Sequence, residues 1–135
     1  MTDDERLAKI IAAMPYATRL GVTAQFDDAE LITQLPYSTD LVGNPRLPAL
    51  HGGAVGAFLE ITAQIRLRWE RETAKAPATI GVTVEYLRPC RTKATFARTE
   101  IKRMGRRIAN IHAEAWQDEN RTPLALLQGR FLMPD

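Results

Sequence analysis

Between Ala54 and Ala63 the chain reads AVGAFLEITA, apolar nearly all round and broken only by Gly56, Glu60 and Thr62. A helix that is apolar on every side must be wrapped by other structure on every side. From Arg66 the same segment turns amphipathic and charged. Arg66–Glu70 and Arg68–Glu72 lie four apart, the spacing of ion pairs on an exposed helix end. The expected element is one long helix whose first half is central to the fold.

The flanking segments supply the wrapping. Residues 3–14 (DDERLAKIIAAM) predict a short helix with acids in its first turn and Pro15 as its stop. Leu7, Ile10, Ile11 and Met14 give it one apolar face. Two strands are expected near 20–27 and 30–36, joined at Asp27-Asp28. Pro36 to Pro48, with three prolines and Gly43, reads as a loop with room for one helical turn. After the long helix, Ile80, Val82, Val84 and Tyr86 alternate with polar residues over 79–88, a strand with one face buried. Strands near 93–103 and 106–117 follow, turning at Met104-Gly105. In the second, Ala109, Ile111, Ala113 and Ala115 share a face small enough to let a helix pack close. A last strand is expected over 123–133, after a turn at Glu119-Asn120. The sum is α+β: a long central helix wrapped by an antiparallel sheet of five or six strands, with a short N-terminal helix.

The 135 residues fit one domain, 1–135, with a single core. The one cysteine, Cys90, allows no intrachain disulfide and suits a reducing compartment. MTDDER lacks the basic start and apolar run of a secretory signal, and no apolar stretch reaches the roughly 18 residues that span a bilayer. The expectation is a soluble, cytoplasmic protein with no membrane partner. A net charge of +2 gives no argument for nucleic acid. The charge is uneven, however. Arg88, Arg91, Lys93, Arg98, Lys102, Arg103, Arg106 and Arg107 face only Glu100 over that stretch. An anionic ligand accounts for such a zone, and so does a solvated strand face with a hairpin tip.

Two features carry chemistry. A carboxylate at Glu60, inside the apolar run, is costly unless it is paired or used. It reads as a base or nucleophile, with a structural ion pair to an arginine as the alternative. His51-Gly52-Gly53 opens the same helix, where orphan N–H groups and the positive dipole end meet. Two glycines admit a ligand atom close to the backbone, which suits a developing oxyanion. Gly52 and Glu60 are eight residues apart, about 12 Å along the axis, and a carboxylate must come within about 3–4 Å of the carbon it serves. One chain cannot bring both to one substrate. Two antiparallel copies related by a two-fold can, so the chemistry calls for a homodimer, alone or within a dimer of dimers. His112 and Cys90 lack catalytic neighbours, and Trp69 and Trp116 read as packing or interface residues. No zinc spacing, P-loop or GxGxxG is present, and no metal or other cofactor is called for.

Over residues 20–133 the sequence resembles the hotdog-fold acyl-CoA thioesterases, in particular the phenylacetate-pathway (PaaI-type) branch of the 4-hydroxybenzoyl-CoA thioesterase superfamily. The anchors are Asn44, His51-Gly52-Gly53, Glu60, Thr79 and Val84-Glu85-Tyr86-Leu87-Arg88-Pro89. The resemblance implies a hotdog fold and these roles: the Gly52 N–H polarises the thioester carbonyl, Glu60 of the partner chain activates water or attacks directly, Thr79 holds that water, and Asn44 and His51 shape the carbonyl side. Many relatives carry Asp where this chain has Glu60, and Asn44 stands seven residues before His51 where six is usual. Gly53 and Tyr86 are expected at the substrate, Tyr86 with Phe58 bounding pocket depth, and Arg88, Arg103 and Arg106 at the CoA phosphates.

The expected function is hydrolysis of an acyl-CoA to a carboxylic acid and CoA. A hotdog dehydratase or hydratase is one alternative, but Arg46 stands where its upstream histidine belongs. A non-catalytic acyl-binding hotdog module is another, although about 20 residues before the first strand are too few for a DNA-binding domain.

Overall fold

The computed structural model describes residues 1–38, 42–44, 49–50, 52–73 and 75–135, with the side chains of 42–44 and 49 outside that description. Eleven elements follow in order: α1 (Asp3–Ala12), α2 (Pro15–Leu20), β1 (Thr23–Asp27), β2 (Glu30–Leu35), β3 (Val42–Asn44), β4 (Ala49–Leu50), α3 (Gly52–Arg71), β5 (Ala78–Tyr86), β6 (Thr95–Met104), β7 (Ile108–Trp116) and β8 (Ala125–Leu132). Six strands form one antiparallel sheet in the order β1-β2-β6-β7-β8-β5, and β3 pairs with β4. β1 and β5 are therefore the edges. The order of predicted elements holds, with two additions. Pro15 does end α1, but it also occupies the first turn of α2, where its missing N–H costs nothing. The 36–48 loop contains β3, whose partner β4 follows it.

α3 packs against one face of the sheet. Ala97, Ala109, Ala113, Ala115 and Ala125 are all buried there, so the helix approaches over methyl groups. Phe58, Leu59, Ile65 and Leu67 fill the seam from the helix side. A polar link crosses it as well. The Thr62 and Thr33 hydroxyls are hydrogen-bonded at 2.8 Å, with the Phe58 carbonyl 2.8 Å from Thr62 and the Ala97 carbonyl 3.4 Å from Thr33 as further acceptors. α1 covers the far end of α3. The Arg6 guanidinium lies 3.8 Å over the Trp69 ring and donates to the Trp69 carbonyl at 2.5 Å. Thr2 caps α1 by accepting from the Glu5 N–H at 3.1 Å.

Three expectations need correction. The first half of α3 is not wrapped on every side. Gly53 is exposed, and Gly56, Ala57, Glu60 and Gln64 are partly exposed, one stripe at helical spacing left open beside β5. β5 itself has no buried face in this chain. Ile80 is 52% exposed, Val82 39% and Tyr86 52%, because the strand is an edge and nothing lies beyond it. Arg66 pairs with Glu70 as predicted, at 2.8 Å, but Arg68 does not pair with Glu72. Helix α3 ends at Arg71, and Glu72 beyond it adopts φ 53°, which carries its carboxylate to Arg6 instead. Arg68 is buried. No helix among the described residues is long and apolar enough to cross a membrane.

Gly129 fills a tight place under α3. It stands in the row Ile101–Ile111–Gly129–Val82, and a Cβ there would lie 2.7 Å from Phe131 and 3.2 Å from Leu127, both fully buried. Gly129→Ala should therefore overpack the core and cost about 1–3 kcal/mol. Urea denaturation of the purified variant measures it, and an unchanged midpoint would show that the two side chains yield freely.

Candidate active site

α3 and β5 run in opposite directions, and a series of contacts joins them along the open stripe. The Gln64 amide donates to the Pro77 carbonyl at 2.8 Å. The Thr79 hydroxyl donates to the Glu60 carboxylate at 3.2 Å. At the other end, the Tyr86 hydroxyl donates to the Gly52 carbonyl at 2.6 Å. Glu60 is half-buried, not wrapped in apolar side chains as the sequence implied. Its partner is a neutral hydroxyl, and none of the described arginines pairs with it. The carboxylate thus stays available on the open face.

Gly52 is the first residue of α3. The first-turn N–H groups of a helix have no intrahelical acceptor, and the positive end of the dipole lies among them. Tyr86 fixes this turn from the carbonyl side. Gly56, one turn on, makes that possible, since a Cβ there would come within 2.9 Å of the Tyr86 hydroxyl oxygen. Gly52, Tyr86, Leu87, Arg88, Pro89 and Cys90 line a cavity of about 370 Å3 at the helix start. Cys90 is buried, and burial pushes its thiol up, which disfavours the thiolate.

The structure brings Gly52, Tyr86 and Arg88 together at one end of β5, and Glu60 and Thr79 at the other. It does not place Arg103 and Arg106 with Arg88. They line a second cleft, of about 440 Å3, with Arg107, Asn110 and Arg130. Arg130 reaches it because the register sets Arg103, Asn110, Arg130 and Gly81 in one row across four strands. That row lies on the face away from α3, at the Thr79 end of β5. The rest of the basic zone is neutralised by carboxylates that are remote in sequence, Glu100 excepted. Arg91 and Lys93 bind Asp118, Arg98 binds Glu114, and Lys102 binds Glu100. Arg88, Arg103, Arg106, Arg107 and Arg130 form no ion pair among the described residues. His51 and the side chain of Asn44 lie outside the described residues; the Asn44 backbone pairs with Ala49 in the β3–β4 ladder. Gly53 is exposed beside Gly52. His112 sits on the outer face in a groove with Arg98, Glu100 and Glu114, away from this site. Among the described residues no three metal-ligating side chains converge.

A long helix lying on one face of a six-stranded antiparallel sheet, its glycine start beside an edge strand, defines a hotdog thioesterase fold. Residues 44–132 match the acyl-CoA thioesterase N-terminal domain, and the chain belongs to that family as a thioester hydrolase. A solved protein from Chromobacterium violaceum is 37% identical, with 98% of this chain and 93% of that one covered and a TM-score of 0.77. Two more distant structures share the fold. A thioesterase from Haemophilus influenzae is 18% identical, covering 98% and 90% of the two chains with a TM-score of 0.82. The E. coli PaaI protein from the phenylacetic acid degradation operon is 15% identical, covering 99% and 97% with a TM-score of 0.78. No curated protein sequence matches the chain.

The fit between Gly56 and Tyr86 has a sign that can be measured. An alanine in a helix gains about 0.5–1 kcal/mol over glycine. With Tyr86 present, the new methyl must displace its hydroxyl from Gly52, so Gly56→Ala should give no gain or a loss in stability. In a Tyr86→Phe background the obstacle is gone, and the same change should stabilise. Equal effects in both backgrounds, read from denaturation midpoints, would mean that Tyr86 does not constrain the helix start.

Proposed function

We propose that this protein hydrolyses an acyl-CoA thioester at a site built from two chains, with Glu60 of one chain and Gly52 of the other. The observation that carries the reading is the pair of contacts at opposite ends of β5, Tyr86 to Gly52 and Thr79 to Glu60. An edge strand presents unpaired backbone groups that suit a second copy of itself. If two β5 strands pair antiparallel about a two-fold near Val82, the Thr79 end of one meets the Tyr86 end of the other. Each Glu60 then meets the partner's Gly52. The same pairing covers Ile80, Val82 and the open stripe of α3. The acyl group belongs in the cavity at the helix start.

The chemistry follows from the groups. The Gly52 N–H donates to the thioester carbonyl oxygen and stabilises the oxyanion. Glu60 takes a proton from a water held beside it by Thr79, and that water's oxygen bonds to the carbonyl carbon. The C–S bond breaks as the oxyanion collapses, and the proton on Glu60 passes to the leaving sulfur. The products are a carboxylic acid and CoA, with no cofactor consumed. Asn44 and His51 are assigned to the carbonyl side on the resemblance alone. The site fits a soluble enzyme working in the cytoplasm, as a dimer or a dimer of dimers.

Glu60→Gln keeps the shape of the side chain but cannot take the proton. It should cut kcat by about 10²-fold or more, in a protein that still melts near the wild-type temperature. Near wild-type turnover would refute the role of Glu60. The two-chain site has its own test. Gly52→Val and Glu60→Ala homodimers should each be nearly inactive. Refolded as an equal mixture, about half the dimers are mixed, and each of these has one intact site. Activity should recover to about a quarter of wild type. No recovery in confirmed mixed dimers would put the whole site in one chain.

The unpaired arginines suit the CoA phosphates, since their planar forks match phosphate oxygens. Exposed charge contacts are screened by salt. KM for an acyl-CoA should therefore rise between low and high salt, while KM for the matching pantetheine thioester, which lacks the nucleotide phosphates, should change much less. Parallel curves would leave Arg88, Arg103 and Arg106 as solvated surface.

A further inference from the structure

We propose that the cleft between α1 and the C-terminal end of α3 binds a small aliphatic carboxylate, anchored by Arg68. This site is separate from the hydrolytic one and its test does not depend on that reading. Arg68 is only 8% exposed. Its Nε is buried with no hydrogen-bond partner among the described residues, and none of their carboxylates pairs with it. A buried cation left without a partner is costly, and removing such groups from a core usually stabilises it.

The surroundings supply a place for the missing partner. Arg68 lines a cleft of about 330 Å3 together with Arg6, Lys9, Ile10, Ala13 and Glu72. That volume is at the lower end of the range for small organic ligands, about 300 Å3 upward. Glu72 is four residues on and could have served Arg68, but it sits beyond the helix end and lies 3.7 Å from Arg6. Arg6 is itself committed, stacked on Trp69 and bonded to the Trp69 carbonyl. Arg68 is thus the cation with an unmet fork, and Lys9, exposed on α1, adds a second positive charge. A carboxylate matches a guanidinium fork with a single charge. A phosphate dianion would meet stronger repulsion from Glu72. Ile10 and Ala13 offer apolar contact to a short aliphatic tail.

Trp69 lies under Arg6 and reports on this cleft. In a Trp116→Phe protein, where Trp69 is the remaining tryptophan, titration with octanoate and no acyl-CoA should give a saturable fluorescence change. Arg68→Met keeps the length and loses the charge; it should weaken octanoate at least tenfold. Lys9→Gln, on an exposed helix surface, should weaken it several-fold without touching the core, and covers the case that Arg68→Met folds poorly. Glu72→Gln should tighten binding, because it removes a competing carboxylate. Octanol and inorganic phosphate should bind far more weakly. The proposal is overturned by an absent response to octanoate, by equal affinity in the Arg68→Met and Lys9→Gln proteins, or by phosphate binding as well as octanoate.

Discussion

The fold depends on one helix that is too apolar for one sheet to cover. α3 buries Val55, Phe58, Leu59, Ile61 and Ile65 against a sheet face built of alanines, and α1 covers its far end. The sheet is six strands wide and ends at β5. Past that edge, Gly53, Gly56, Ala57, Glu60 and Gln64 remain open. The chain places Glu60 and its glycine helix start on the same uncovered stripe, where its packing is incomplete. In the proposed dimer, covering that stripe and assembling the site are the same event.

The contacts between α3 and β5 give the stripe its geometry. Tyr86 holds the first turn of α3 through the Gly52 carbonyl. Thr79 holds Glu60 from the strand, and Gln64 holds the start of β5 through Pro77. Each contact joins a helix residue to β5 or to the residue just before it, so the carboxylate and the helix start are tied to fixed points along one edge. That is the condition for groups to meet a partner's groups within the tenths of an ångström that catalysis needs.

Much of this was legible because it is local. The alternation of Ala109, Ile111, Ala113 and Ala115 sets the helix-facing side of β7, and all four are buried. Leu7 and Met14 mark the buried face of the first helical stretch, as the apolar spacing predicts. What was not legible depends on register or on strand order. The basic zone looked continuous because Glu30, Glu114 and Asp118 are remote in sequence, yet they lie across the sheet from Arg98, Arg91 and Lys93. Arg130 was missed for the same reason: only the β7–β8 register brings it to Arg103. α2 was missed because Pro15 ends one helix and begins another, and a proline signals both. Glu60 read as buried because a sequence shows that a helix is apolar all round but not which sector the sheet leaves uncovered.

The two arginine clefts extend the two-chain argument from the reacting atoms to the rest of the substrate. Arg88 lies beyond the Tyr86 end of β5, and Arg103, Arg106, Arg107 and Arg130 gather at the Thr79 end. From Thr79 to Tyr86 the strand runs about 23 Å at its usual rise, so within one chain the two clusters are far apart and on different sides of the site. An antiparallel pairing of two β5 strands brings the Arg88 end of each to the Thr79 end of the other. A thioester whose acyl group enters beside Gly52 of one chain would then carry its phosphates past the arginines of both. In one chain the basic zone is two separate clefts; in the proposed dimer, arginines of both chains approach the same end of the paired strands, with Arg103 and Arg130 on the face away from α3. The symmetry proposed to join carboxylate to oxyanion donor would therefore also bring the arginines of both chains to one substrate.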